Sequence, residues 1–120
     1  MVTVTFTIDR LTPAIGADVG SHAALWAEDP DAFDELYETL IEHHVVVMSA
    51  IDATPAQLVA LARTLGPIGM RHHSYVTHPE NPDVVVLDWS GDRKPDAAEW
   101  HADMTYRDDP PFATVLQAKT

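Results

Sequence analysis

Glu99-Trp100-His101-Ala102-Asp103-Met104-Thr105-Tyr106, followed by Asp108-Asp109-Pro110-Pro111 and Ala113-Thr114-Val115-Leu116-Gln117-Ala118-Lys119, is the stretch on which the reading of this chain turns. Written as extended backbone, residues two apart face one side, with roughly 7 Å between their Cα atoms. His101 and Asp103 then aim an imidazole nitrogen and a carboxylate oxygen at one point. A neutral imidazole with a hard carboxylate, and no sulfur, suits Fe(II), Mn(II) or Zn(II). Two His and one carboxylate on one face of an octahedron leave three positions open, and His-Xaa-Asp supplies two of those three protein ligands. The tripeptide alone is unspecific. Among 7 His and 19 acidic residues it arises by chance, and a solvated pair on a strand surface is the competing reading. Glu99 shares the same face if the strand is regular, where it would use one of the open positions.

Around this stretch the chain alternates its signals in order. Val2-Thr3-Val4-Thr5-Phe6-Thr7-Ile8 reads as a half-buried strand, and Leu11 to Gly20 as irregular chain punctuated by Pro13, Gly16 and Gly20. A helix is predicted from Asp31 to His43, capped by Asp29 with Pro30 in its first turn and buried through Phe33, Leu36, Tyr37, Leu40 and Ile41. Val45-Val46-Val47-Met48 reads as a strand buried on both faces. Thr54-Pro55-Ala56-Gln57 carries a capping-box pattern for a second helix, buried through Leu58, Leu61, Ala62 and Leu65 and stopped by Gly66-Pro67. Val84 to Leu87 is the next strand. Gly91 to Asp96 is a polar loop, and strand-like stretches follow around Trp100–Tyr106 and Ala113–Ala118, with the double proline breaking the chain between them. A late run of strands implies an antiparallel sheet, and an apolar strand as the last element would leave an unpaired edge. The expectation is therefore the N-terminal part of a longer protein, with residues 1–120 forming a single incomplete domain.

Composition narrows the partners. The chain has 120 residues, 46% of them hydrophobic, which is enough for one globular core. Its 7 Lys+Arg against 19 Asp+Glu give a net charge of −12, a balance that repels phosphate backbones and anionic headgroups. Neither nucleic acid nor membrane is an expected partner. No run approaches the roughly 18 apolar residues of a membrane span, and Met1 to Arg10 lacks the pattern of a secretory signal. With no cysteine, disulfides and thiolate chemistry are excluded, and a cytoplasmic setting is expected.

Trp100-His101-Ala102-Asp103 with Pro110-Pro111 and the strand Ala113 to Lys119 resembles the taurine dioxygenase/TfdA-like family of Fe(II)- and 2-oxoglutarate-dependent oxygenases. The resemblance continues upstream in order. Leu11-Thr12-Pro13-Ala14-Ile15-Gly16-Ala17 looks like the family's Pro-x-Ile-Gly-Ala segment, the first helix running into His43-His44-Val45-Val46-Val47-Met48 like its helix and first core strand, and Val84 to Asp88 like the strand before the metal loop. It implies a mixed α/β (α+β) chain, the N-terminal part of a double-stranded β-helix or jelly-roll oxygenase fold with two flanking helices. It implies Fe(II) held by His101 and Asp103, 2-oxoglutarate as cosubstrate, and oxidation of a small organic, anionic substrate by O2 with release of succinate and CO2. The second ligand His, the Arg that receives 2-oxoglutarate and a cosubstrate Thr have no counterpart in these residues.

The resemblance also marks substrate contacts. A family His contact maps within Arg71 to His73, taken at His72, with a solvated polar loop as the alternative. Met104 and Tyr106 match positions lining the substrate pocket, which requires the strand to bend or end after Asp103, since strict alternation would turn both away; core packing is the alternative. Trp100 reads as packing behind the metal strand, His43-His44 as a helix end, and His78 as an exposed turn residue. The competing function is a non-catalytic jelly-roll binding module or an inactive fragment, and a homo-oligomer is open as its assembly.

Overall fold

The computed structural model describes residues 7–20, 29–71, 73–92 and 98–119. Most of the strand expected over Val2–Ile8, and His22, His72 and part of the Gly91–Asp96 loop, lie outside the described residues. The described elements run β1 (Asp9–Arg10), β2 (Ala17–Asp18), α1 (Pro30–His43), β3 (Val46–Val47), α2 (Pro55–Leu65), β4 (Thr77–His78) and β5 (Asn81–Val85). They form a small mixed α/β arrangement of two helices and short strands.

Both helix starts follow from their capping residues. Asp29 is extended, and its carboxylate accepts from the N–H of Asp31 at 3.0 Å, with Pro30 in the first turn of α1. Thr54 and Gln57 form the reciprocal box at the head of α2: the Thr54 hydroxyl accepts from Gln57 N–H at 3.2 Å, and the Gln57 side chain accepts from Thr54 N–H at 2.9 Å. α1 ends at His44, a left-handed residue (φ 65°) whose N–H donates to Leu40 O at 2.7 Å. His43 itself is buried in the last turn.

β1, β2 and β3 form one sheet in that order, β1 antiparallel to β2 (Arg10 opposite Ala17) and β2 parallel to β3 (Ala17 opposite Val46). α1 is thus the crossover between two parallel strands. The link is tight: Gly16 N–H donates to His43 O, Ala17 N–H to Val45 O and Val19 N–H to Val47 O, all at 2.9–3.0 Å. β4 and β5 make a separate hairpin turning at Pro79-Glu80. The core is Val19, Ala32, Leu36 and Leu61, with Val46, Met48, Ile51 and Val115 packed against it.

Four expectations need correction. The buried face of α1 is Ala32, Leu36, Thr39 and His43, while Tyr37 and Ile41 stay 40% and 50% exposed. Ala32 and Leu36 join Val19 and Leu61 in the core, and Thr39 satisfies its hydroxyl on Glu35 O at 2.7 Å. In α2 the buried residues are Val59 and Leu61, with Leu58, Ala62 and Leu65 half-buried. β3 is not covered on both faces: Val46 and Met48 meet the core, while Val45 and Val47, on the opposite face, are exposed. β5 begins three residues before the expected Val84, because the Pro79-Glu80 turn starts the ladder at once and an edge strand tolerates Pro82.

Candidate metal centre

The segment carrying His101 and Asp103 is not a strand. Residues 103–106 form a turn in which Met104 takes a left-handed conformation (φ 51°) and Arg107 N–H donates to Met104 O at 3.2 Å. Alternating residues become a strand only against a partner ladder, and none pairs with this segment among the described residues. The turn still brings the two side chains together. His101 Nε2 lies 3.3 Å from Asp103 Oδ1, both side chains about half exposed (51% and 54%).

The other atoms of the pair define its chemistry. His101 Nδ1 lies 2.8 Å from the carbonyl oxygen of Glu99. A carbonyl only accepts, so Nδ1 carries a proton, and Nε2 is the ring atom turned toward a carboxylate oxygen. Two lone pairs at 3.3 Å repel unless a cation, either a second ring proton or a metal ion, lies between or beside them. A ring nitrogen fixed by a backbone carbonyl on its far side is the usual arrangement of a metal-binding imidazole. The donor set therefore fits a borderline or hard divalent metal. Among the described residues no third His, Asp or Glu joins the pair. Asp103 Oδ2 accepts from the Thr114 hydroxyl at 3.3 Å, a contact that brings the next segment to the site.

Residues 113–118, expected as a strand, form no strand, but burial alternates with period two over residues 112–118. Val115 sits on the core. The Gln117 amide is oriented so that its nitrogen donates to Ala53 O (3.2 Å) and its oxygen accepts from Ala53 N–H (2.9 Å); the reverse orientation would set oxygen against oxygen. Lys119 pairs with Asp52 and donates to Ala53 O at 3.3 Å. At the other end Phe112 stacks on Tyr37 of α1, ring centroids 5.7 Å apart. Thr114 was not among the residues singled out from sequence; its signal is a lone hydroxyl on the outward phase of an otherwise apolar alternation.

The remaining site expectations divide. Met104 is half-buried and Tyr106 exposed, and the chain turns after Asp103, which is the geometric condition their substrate role required. Trp100 is fully exposed, so it does not pack behind the site; with Ala98, Glu99 and His101 it lines an open depression of about 370 Å³. Arg71 lines a second depression of about 340 Å³ with Met70 and Asp83, its guanidinium donating to Pro82 O at 2.6 Å. His78 is half-buried in β4, and its Nδ1 accepts from Glu80 N–H at 3.2 Å, tying down the hairpin turn instead of standing free in solvent.

No helix among the described residues is long and apolar enough to cross a membrane. The family model for the taurine catabolism dioxygenase TauD, TfdA family matches residues 7–120. Matched over residues 7–120, His101 and Asp103 included, this chain belongs to the taurine catabolism dioxygenase TauD, TfdA family.

Proposed function

We infer that this chain contributes two of three iron ligands, His101 through Nε2 and Asp103 through Oδ1, to an Fe(II)/2-oxoglutarate-dependent dioxygenase acting on a small anionic organic substrate. The observation that carries the reading is the His101–Asp103 pair, with its ring nitrogen held by the Glu99 carbonyl, inside a chain that matches a dioxygenase family. His101 and Asp103 would hold Fe(II), which would supply O2 activation coupled to conversion of 2-oxoglutarate to succinate and CO2.

The chain's own part is positional. Glu99 O keeps the Nδ1 proton in place, so the metal-facing nitrogen stays free to donate its lone pair. The left-handed turn at Met104 ends any extended run after Asp103 and leaves Tyr106 exposed. His72, Met104 and Tyr106 are the proposed substrate contacts. The resemblance puts the second ligand His and the Arg for 2-oxoglutarate outside these 120 residues, which therefore hold no step for the cosubstrate. The family match supports a jelly roll to which these residues contribute. Residues 1–120 are then the N-terminal portion of one such domain, in a cysteine-free and so cytoplasm-compatible chain.

The test is succinate release from 2-oxoglutarate after anaerobic Fe(II) loading and admission of O2, in the complete gene product that contains this sequence. Sulfonates, sulfate esters and aryloxyalkanoates are the substrate panel. Substrate-stimulated succinate that disappears in Asp103→Ala is the expected result. Equal succinate from both proteins overturns the site, and none with any substrate moves the function to a jelly-roll binding module, the reading favoured by a pair that no third ligand joins among the described residues.

A further inference from the structure

We propose that Thr114 is a positioning residue for the Asp103 carboxylate, holding Oδ2 so that Oδ1 is presented beside His101 Nε2; this rests on reading His101 and Asp103 as metal ligands. The contact is the Thr114 hydroxyl donating to Asp103 Oδ2 at 3.3 Å while Oδ1 lies 3.3 Å from Nε2. One carboxylate oxygen is thereby tied to protein and the other directed at the imidazole. A side chain with two rotatable bonds in a solvated turn would otherwise sample several orientations, and each disordered orientation lowers the fraction of chains ready to bind a cation.

The hydroxyl is well placed to do this because its own backbone is anchored on both sides. Phe112, two residues before, stacks on Tyr37 of α1, and Val115, the next residue, packs on the core. Gln117 then bonds both backbone groups of Ala53, and Lys119 pairs with Asp52. Asp103 by contrast sits in an exposed turn with a left-handed neighbour, Met104. The rigid partner is Thr114 and the adjustable one is Asp103, so the hydroxyl sets the carboxylate and not the reverse. At 3.3 Å the bond is longer than an ideal hydroxyl–carboxylate contact, so its role is orientation more than stability. Carboxylate ligands are commonly held in this way, and loss of such a partner lowers metal affinity without touching the metal.

The experiment is Co(II) titration of the complete gene product that contains this sequence, followed by the visible absorption of the bound ion, with thermal melts run alongside. The proteins are wild type, Thr114→Val, Thr114→Ser, and His101→Ala as the site control. The expected result is His101-dependent binding that weakens by about 10-fold in Thr114→Val, with an altered absorption envelope, and returns in Thr114→Ser. Melting temperatures should match, because Thr114 is exposed; if Val disturbs the melt, Thr114→Ala takes its place. Co(II) binding that is His101-dependent and equally tight in Thr114→Val overturns the positioning role and leaves the ligand pair standing. Binding that is absent from wild type, or unchanged in His101→Ala, overturns the ligand pair and the positioning role with it.

Discussion

His101 offers Nε2 to Asp103 Oδ1 at 3.3 Å while Glu99 O, 2.8 Å from Nδ1, holds the ring's proton on the opposite side. A proton on Nδ1 follows from that contact. Nitrogen-detected NMR of the imidazole should show that proton on Nδ1. Added Zn(II) should then perturb Nε2 and leave Nδ1 protonated, with the effect lost in Asp103→Ala. A ring without a proton on Nδ1 would show that the Glu99 contact does not govern the site. Binding by these residues alone should be weak, since water must fill most of the coordination shell.

Leu36, only 2% exposed, is the larger contributor from α1 to the core. Leu36→Ala should lower stability by about 2–5 kcal/mol in a denaturant melt, whereas Ile41→Ala, half exposed, should change it by less than about 0.5 kcal/mol. Equal losses from the two would restore the Phe33–Tyr37–Ile41 side as the buried face.

Ala50 adopts φ 57° between β3 and α2, a conformation in which its Cβ crowds the following carbonyl. Ala50→Gly relieves the crowding at some cost in unfolded-chain entropy. A net gain of about 0.5–1 kcal/mol is expected from chemical denaturation. A loss of stability would mean that the left-handed conformation is not kept in solution.

Asp18 has its carboxyl held below the ordinary aspartate range, first by the Gly20 N–H at 2.7 Å and then by the Ser49 hydroxyl at 2.8 Å, against a small opposing effect of desolvation. A folded-state pKa below the unfolded one stabilises the fold above the unfolded value, and that contribution disappears as pH falls through the folded value. Asp18→Asn should therefore be less stable than wild type near neutral pH, with the gap closing as pH falls below the ordinary aspartate range. A gap that is the same at both ends would assign the effect to lost hydrogen bonds alone.

Local chemistry decided the parts of this chain that could be read directly. Asp29-Pro30 and the Thr54/Gln57 box start helices because a few adjacent atoms satisfy the free N–H groups there, whatever else surrounds them. The pairing of His101 with Asp103 was legible for the same reason, since residues two apart stay close whether the backbone is extended or turned. Burial was decided elsewhere. Periodicity marks Phe33, Tyr37 and Ile41 as apolar, but packing of Ala32 and Leu36 with Val19 and Leu61 selects the neighbouring face of α1. Strand character around Trp100–Tyr106 depended on a partner ladder that the described residues do not provide, so the same sequence turns at Met104 instead. Thr114 reaches Asp103 across eleven residues only because Phe112, Val115 and Gln117 dock on α1, the core and Ala53. Contacts set by neighbours in the chain are written in its order; contacts set by which surfaces meet exist only once the chain has packed.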